Sequence, residues 1–415
     1  MSQKKFKILL LFISILIFQP VCAQSLESSD TLLKNYENYS KLPREVAYLH
    51  LNKSKYVKGE AIGISGYVLD KDTKRPSALT TNLYCVISDS NNKIIKSKLI
   101  KVNSGYLQSL FSIDGLFTSG NYTIKAYTNW MKNFEEQNLF AETITIIDPE
   151  VTPIIKAKTL KNNIDAQFLP ESGHLLIDVN NTIGVILKNE EGFGLGGLIG
   201  NVYDSKNNLT ASFKTNSLGI SRFLLKPKKN EIYKVKIEHL GKQFEYKISK
   251  PDANGITLSL KYTDKNVALN FSTNNETLPV IKNKNYKIAI HDGEVIKVSN
   301  IKISSLETSR LLSYSSLSPG INIFTLLNEN NKPILERLFF NFNGIDFLET
   351  GKTNISKTND SLSFKINLKQ LNPEHNINIS LLPEGTKSYN SHHNIISYIF
   401  LQPYINSYVE NASYY

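Results

Sequence analysis

The 415-residue chain has few cysteines, the residues that form disulfides and reactive thiol sites. It contains two cysteines, two methionines and one tryptophan. Cys22 lies in an N-terminal apolar segment, so Cys85 is the only cysteine in the rest of the chain. A single cysteine cannot form an internal disulfide, and its neighbours do not supply the electropositive setting that a nucleophilic thiol requires. Cys85 alternates with Leu83 and Ile87, so we expect it to be a small buried core residue.

Long apolar runs are also scarce. The run at 8–18 follows three lysines and leads to Val-Cys-Ala at 21–23, the pattern of a secretory signal peptide cleaved after residue 23. It is shorter than the roughly 20 apolar residues that span a bilayer, so we expect no transmembrane segment after cleavage. Two alternatives stay open: an uncleaved anchor, and lipidation of Cys22, although the residues before Cys22 form a poor lipobox.

Motifs for catalysis, cofactors and metals are incomplete. Gly-Phe-Gly-Leu-Gly-Gly at 192–197 matches a dinucleotide fingerprint, but a strand-like stretch follows where the pyrophosphate-binding helix is needed. His392 and His393 would point to opposite faces of a strand and lack further ligands. Asp-Lys-Asp at 70–72 begins like a calcium loop, lacks the remaining ligands and indicates a hairpin tip. We therefore expect no enzymatic activity, no cofactor and no metal site.

The charge is basic without being clustered. The formal net charge is +11, and lysines are scattered among asparagines and serines. Many alternate with apolar residues, as at 233–237, which places them on a solvated sheet face. This pattern argues against nucleic acid as a partner. It fits association with an anionic outer-membrane surface or an acidic glycan better.

The dominant pattern is a period of two. Apolar and polar residues alternate at 62–68, 122–126, 256–262 and 361–369, and Asn-, Ser- and Gly-rich turns separate the runs. Alternation of this kind predicts antiparallel strands with one buried and one solvated face. Many short strands with few helical patterns predict an all-β fold of tandem antiparallel β-sandwiches.

The length and the turn positions divide the chain into several units. The predicted units are a signal peptide at 1–23, a lead-in at 24–44, a first sandwich at 45–147, a linker at 148–164, a second sandwich at 165–250, a third at 251–346 and a partial fourth unit at 347–415. The fourth unit has two good strands and a helical turn, fewer elements than an independent sandwich needs. We therefore expect the last sandwich to be incomplete, and the chain to be truncated there or to be a degenerate copy of something longer.

Four short motifs lie beside these strands: Tyr-Val-Lys-Gly-Glu at 56–60, Ala-Tyr-Thr-Asn-Trp-Met at 126–131, Phe-Leu-Pro-Glu-Ser-Gly at 168–173 and Glu-Arg-Leu at 336–338. Together they resemble a family of Gram-negative envelope proteins with tandem macroglobulin-like (immunoglobulin-like) β-sandwiches. Longer members often continue into a plug similar to that of TonB-dependent receptors, and we expect this chain to lack that plug. The positions that we interpret as structural signatures are Tyr56, Gly59, Glu60, Trp130, Pro170, Glu171, Gly173, Glu336 and Arg337.

Physical reasons accompany some of these positions. Gly59 allows a tight turn with positive φ, and Trp130 is expected to seal a corner of the first core. Ser172 replaces a glycine of the Pro-Glu-Gly-Gly segment usual in the family, so the turn there is expected to differ. The chain also lacks the Cys-Gly-Glu-Gln thioester motif, which excludes covalent trapping of proteases.

The resemblance implies a non-enzymatic, exported protein of the periplasm or outer membrane that acts as a spacer and docking module linked to TonB-dependent uptake. Its expected partner is an envelope or outer-membrane protein, or a glycan, recognised through strand edges or loops. Two alternatives stay open. One is a protease-binding, macroglobulin-like defence protein without a thioester, and the other is the accessory region of a carbohydrate-active enzyme.

Overall fold

The structure is a computed structural model, and it describes residues 31–136, 138–151, 163–346, 348, 351–368, 376–382, 384 and 393–414. The predicted signal peptide, Cys22, His392, Tyr415 and most of the predicted linker lie outside the described residues. In the ranges that are described, no helix combines the length and the apolar character needed to cross a bilayer.

The first β-sandwich follows a short helix, α1 (Thr31–Ser40). Its strands are β1 (Glu45–Leu51), β2 (Lys55–Val57), β3 (Ala61–Asp70), β4 (Asn82–Asp89), β5 (Ile94–Lys101), β6 (Tyr106–Ser112), β7 (Gly120–Tyr127) and β8 (Phe140–Ile147). One sheet has the order β1-β3-β6, and the sheet facing it has the order β2-β8-β7-β4-β5. All pairs are antiparallel except β2 with β8, which is parallel.

The core of this sandwich confirms the prediction for Cys85. Its side chain is fully buried in a cluster with Ile62 and Ile124, which come from facing sheets. Burial raises the pKa of the Cys85 thiol to about 12, since the thiolate would lose its hydration. The residue therefore packs as a small apolar side chain.

The second sandwich is made of seven strands. They are β9 (Asp165–Pro170), β10 (Asn181–Lys188), β11 (Ile199–Tyr203), β12 (Leu209–Lys214), β13 (Ile220–Leu225), β14 (Lys234–His239) and β15 (Lys242–Lys247). The two sheets have the orders β13-β10-β9 and β12-β11-β14-β15. In β10, Ile183, Val185 and Leu187 face the core, so the residues between them lie on the outer face of the sheet.

The third sandwich is built in the same way. Its elements are β16 (Ile256–Tyr262), β17 (Asn266–Thr273), helix α2 (Leu278–Ile281), β18 (Tyr286–His291), β19 (Ile296–Ile301), β20 (Glu307–Ser313), β21 (Gly320–Leu327) and β22 (Pro333–Asn341). The sheet orders are β16-β17-β20 and β19-β18-β21-β22. The predicted all-β class of tandem antiparallel sandwiches is therefore confirmed.

In the part of the chain that the structure describes, the last sandwich is incomplete, as expected. Its described strands, β23 (Asn354–Thr358) and β24 (Ser361–Lys365), form a two-stranded hairpin. The prediction that one face of this hairpin is buried is wrong, because Leu362 is 60% exposed and Phe364 is 42% exposed. Alternation alone does not bury a face, and within the described ranges no second sheet covers this one.

Residues 393–414 pack against other sandwiches instead of completing the fourth unit. Helix α3 (Ile395–Phe400) begins at Asn394, whose side chain accepts a hydrogen bond from the Ser397 amide in a capping box. Tyr398 and Ile399 enter the core of the first sandwich. Residues 401–412, which we call the strap, pack against the outer face of β21 in the third sandwich. The C-terminal residues thus tie the first sandwich to the third.

The prediction that Trp130 seals the first core is wrong. Trp130 is 39% exposed, and its indole N–H donates a hydrogen bond to the Pro43 carbonyl oxygen at 2.8 Å. The residue stands in a short 3-10 turn that directs the next side chain, Met131, into the core. Trp130 therefore contacts the residues just before β1, and Met131 is the residue that is buried in the core.

Candidate binding cleft

The first motif forms a structural corner. Tyr56 is buried, and its hydroxyl donates to the Lys53 carbonyl oxygen at 2.7 Å. Gly59 has a φ of +95°, which confirms the predicted turn. Glu60 accepts a hydrogen bond from the Val57 amide at 2.7 Å and pairs with Lys53 at 2.6 Å. These contacts close the turn between β2 and β3 and leave no free reactive group there.

The third and fourth motifs meet, although they belong to different sandwiches. The carboxylate of Glu171, just after Pro170 and the end of β9, lies 3.2 Å from the guanidinium of Arg337 in β22. The neighbouring Glu336 is exposed and does not take part. Sequence reasoning selected both residues of this pair separately but did not join them.

Ser172 explains the departure from the usual Pro-Glu-Gly-Gly segment. Its hydroxyl accepts a hydrogen bond from the Leu258 amide at 2.8 Å and donates to the Leu258 carbonyl oxygen at 3.0 Å. A glycine could make neither bond. The turn continues through Gly173, with φ at +77°. This turn of the second sandwich therefore satisfies two backbone groups on the free edge of β16 in the third sandwich.

A buried amide strengthens the same interface. Asn274 donates to the carbonyl oxygens of Ile177 at 3.1 Å and Ala253 at 2.7 Å. Asn274 is almost fully buried, so both bonds are shielded from water. Together with the contacts of Glu171 and Ser172, these bonds fix the second sandwich against the third.

A cleft of about 730 Å³ opens beside this interface. One wall is the outer face of the β13-β10-β9 sheet, a second is β22 with Tyr262, and the strap forms the third. Most of the lining is apolar. Its apolar residues include Ile186, Ile220, Leu338, Phe340, Ile405 and Val409.

Two ion pairs cross the walls of the cleft. Besides Arg337 with Glu171, Lys188 of β10 pairs with Glu410 of the strap at 2.6 Å. Each carboxylate is thus held by its own cation. The Nε–H of Arg337 is buried and has no hydrogen-bond partner among the described residues. Arg337 lines the cleft with 34% of its side chain exposed, so the exposed part of this side chain can meet a further hydrogen-bond acceptor.

The remaining chemical motifs are structural where they are described. The 192–197 segment is a turn with positive φ at Gly192 and Gly197, and β11 follows it, as predicted. Residues 70–72 form the predicted hairpin tip, where Asp70 accepts hydrogen bonds from the amides of Asp72 and Thr73. Among the described residues, no group of three or more His, Cys, Asp or Glu could hold a metal ion.

Sequence reasoning missed the junction of the first sandwich with the strap. Lys71 is buried and donates to the Pro403 carbonyl oxygen at 3.0 Å, while the Lys74 amine contacts the Tyr404 hydroxyl. Burial lowers the pKa of Lys74 to about 8. About 330 positions separate these partners along the chain, so no local pattern could indicate the contact.

Comparison with known proteins gives only distant similarity. No protein-family model matches the chain, and no curated protein matches it. Among solved structures, it is similar to elastase-activated alpha-2-macroglobulin of Escherichia coli (11% identity, 78% of this chain, 33% of that chain, TM-score 0.27). It is also similar to Salmonella alpha-2-macroglobulin reacted with methylamine (10% identity, 76% of this chain, 24% of that chain, TM-score 0.22). A third similar structure is dimeric latent PorU of Porphyromonas gingivalis (11% identity, 72% of this chain, 33% of that chain, TM-score 0.27).

The chain spans about a quarter to a third of the length of these three structures. Similarity at these TM-scores does not identify a family for the chain. The class that the structure defines is a protein of tandem antiparallel β-sandwiches, and the strands described above carry that assignment.

Proposed function

We propose that the chain is a non-enzymatic, exported envelope module that docks a protein partner in the cleft between its second and third sandwiches. The observation that carries the proposal is the cleft itself, whose walls are held by the Glu171–Arg337 pair, by Ser172 and by the strap. A preformed concave site with an apolar lining and a few convergent polar groups is typical of binding sites. Its place in the periplasm or at the outer membrane, beside TonB-dependent uptake machinery, rests on the resemblance of the four motifs.

A protein partner fits the cleft better than a small cofactor. The lining alternates apolar side chains with ion pairs at the rim, as protein interfaces do. The preformed walls would lower the entropic cost of binding, because few side chains need to be ordered. The module would therefore present a rigid surface that a partner can recognise without a large rearrangement.

Photocrosslinking in intact cells tests this function. A photoreactive amino acid replaces Leu338, which is 40% exposed in the cleft, and in a control it replaces Leu311, which is 60% exposed on the edge strand β20. We expect an adduct with an envelope protein from position 338 and none from position 311. If the exported protein forms no adduct at position 338, or the same adducts at both positions, the docking function is wrong.

The two alternatives predict other results. A protease-binding protein would retain an added protease through gel filtration of the purified chain. The accessory region of a carbohydrate-active enzyme would give adducts with a glycosidase and would bind a polysaccharide. We expect neither retention of protease nor polysaccharide binding at the cleft.

A further inference from the structure

The free edge of β22 faces the cleft. Four successive residues, 337–340, line the cavity. Neighbouring side chains of a strand point to opposite faces, so a cavity that contacts all four reaches around the edge of the strand as well as over the outer face, where Ile321 and Leu338 line it. β22 ends its sheet, and no backbone hydrogen bond joins this edge to the strap or to the second sandwich in the described part of the chain.

An unpaired edge presents N–H and C=O groups at every second residue, in a row that another strand can extend. The free edge of β16 at the same interface shows that such backbone groups take hydrogen-bond partners. There the Ser172 hydroxyl bonds both the amide and the carbonyl oxygen of Leu258. β22 has no equivalent cap among the described residues. A backbone with the same two-residue repeat is the ligand that satisfies such a row.

The walls on either side suit the side chains of an extended ligand. Ile186 and Ile220 face the cleft from the second sandwich, while Ile405 and Val409 face it from the strap. The side chains of an added strand point alternately to two sides, so each set would meet one apolar wall. A glycan has no such row of amides and carbonyls, so the edge favours a peptide.

The charge at this edge favours an acidic residue. Arg337 uses one nitrogen on Glu171, and it lines the cleft with 34% of its side chain exposed. A guanidinium has five donors in a planar fork and can hold more than one oxygen. A carboxylate on the ligand would bind the exposed part of Arg337 beside the apolar walls.

We propose that the cleft binds an extended, acidic peptide segment of the partner as an additional strand on the free edge of β22, with a carboxylate beside Arg337. This inference rests on the docking function proposed above and adds the chemistry of the ligand. The edge at 337–340 has room for about four ligand residues, or roughly 13 Å of strand.

Selection from a phage library of random decapeptides against the full chain tests the inference. We expect enriched peptides to alternate apolar residues around an Asp or Glu. Synthetic versions of the best peptide are then methylated at one backbone nitrogen at a time. Methylation should weaken binding at least tenfold at every second position and little at the positions between, because only alternate amides face β22.

Variants of the protein supply the second half of the test. Arg337→Gln should weaken binding about tenfold, and replacing the ligand carboxylate with an amide should have the same effect on the wild-type chain without altering the protein. Leu338→Lys should abolish binding, whereas the matched change Leu311→Lys on β20 should leave it unchanged. Circular dichroism checks that each variant is folded.

Three results would overturn the inference: no enriched peptide, methylation effects without the two-residue repeat, or equal binding to the Leu338→Lys variant. Crosslinking at position 338 separates this failure from failure of the docking function. An adduct in cells with no strand-like peptide leaves the docking function standing and rejects strand addition. Absence of any adduct rejects both.

Discussion

Gly194 shows at the scale of one residue why a glycine-rich segment that matches a nucleotide fingerprint has another role. A Cβ placed on Gly194 would lie 2.1 Å from the Leu218 carbonyl oxygen, so the two turns pack backbone against backbone. Gly196 is similarly close to the backbone at Asn216 and Ser217. Gly194 and Gly196 therefore serve close packing within the second sandwich, and Gly192 and Gly197 serve the turn through their positive φ, without the helix that would hold a phosphate.

Gly194→Ala should consequently destabilise the second sandwich. We expect a loss of about 1–3 kcal/mol, because backbone must move to admit the methyl group. Gly115→Ala is the matched control, since its Cβ would meet no atom within 4 Å, and it should change stability by less than about 0.5 kcal/mol. Urea unfolding measures both, and equal stability of the two variants would contradict the packing role.

Cys85 provides a second prediction at the residue scale. Because the thiol is fully buried and its pKa is raised to about 12, a maleimide should not label the native chain at pH 8 but should label the unfolded chain. Cys85→Ser should cost about 1–3 kcal/mol more than Cys85→Ala, since the hydroxyl would be buried among apolar residues. Rapid labelling of the folded chain would show that the site is open to solvent.

At the scale of elements, the alternation of apolar and polar residues correctly indicated a strand with one buried face wherever a second sheet covers that face. β10 and β17 follow their alternation residue by residue, so both the strands and their buried faces could be predicted. The same pattern in β24 gave a strand with both faces exposed. Burial is decided by what packs on the sheet, and a strand's own sequence does not specify that partner.

The candidate site was less predictable than the strands. Glu171 and Arg337 could be chosen as motif residues, but their contact depends on how two sandwiches are placed. The strap is a stronger case, because its partners Lys71 and Lys74 lie about 330 residues away. Contacts of this kind are set by tertiary packing and leave no periodic signal in one sequence.

Helix α3 gives a prediction at this scale. The Tyr398 hydroxyl accepts a hydrogen bond from the Ala141 amide at 2.9 Å and donates to the Ala141 carbonyl oxygen at 3.0 Å, so it satisfies both groups on the part of β8 that β2 does not cover. Tyr398→Phe should cost about 1–3 kcal/mol and raise the amide exchange rate of Ala141, because these groups would be left unpaired. Tyr408, which is more than half exposed, offers the control Tyr408→Phe. Unchanged exchange at Ala141 would argue against the contact.

At the scale of the whole molecule, the first sandwich, the third sandwich and the strap meet around Lys74. Its amine contacts the Lys71 carbonyl and the Tyr404 hydroxyl, and Asp72, Asp292 and Glu294 contribute negative charge around it. Burial lowers the pKa of Lys74 from 10.5 to about 8 in spite of these acids. Burial also raises the pKa of Asp72, Glu294 and Tyr404. The junction therefore holds charges that folding has removed from water.

The stability of the folded chain should depend on pH through Lys74. Between about pH 8 and 10.5 the unfolded chain binds a proton at Lys74 that the folded chain does not, so this residue's contribution to stability rises with pH across that window. Below pH 8 both states are protonated, and the cost of burying the charge is complete. Lys74→Met removes this dependence and leaves the neighbouring acids and tyrosines in place.

We therefore expect the unfolding free energy of the wild type, relative to that of Lys74→Met, to rise by about 1–3 kcal/mol from pH 7.5 to 10. Urea unfolding at several pH values measures the difference, in which effects of Asp72, Glu294 and Tyr404 that both proteins share largely cancel. Lys229→Met is the control, because Lys229 is exposed and pairs with Glu276 at the surface, so the wild type should show no such gain against it. A difference that is flat or falls with pH would mean that the Lys74 amine is hydrated, and that the strap does not seal the first sandwich at this junction.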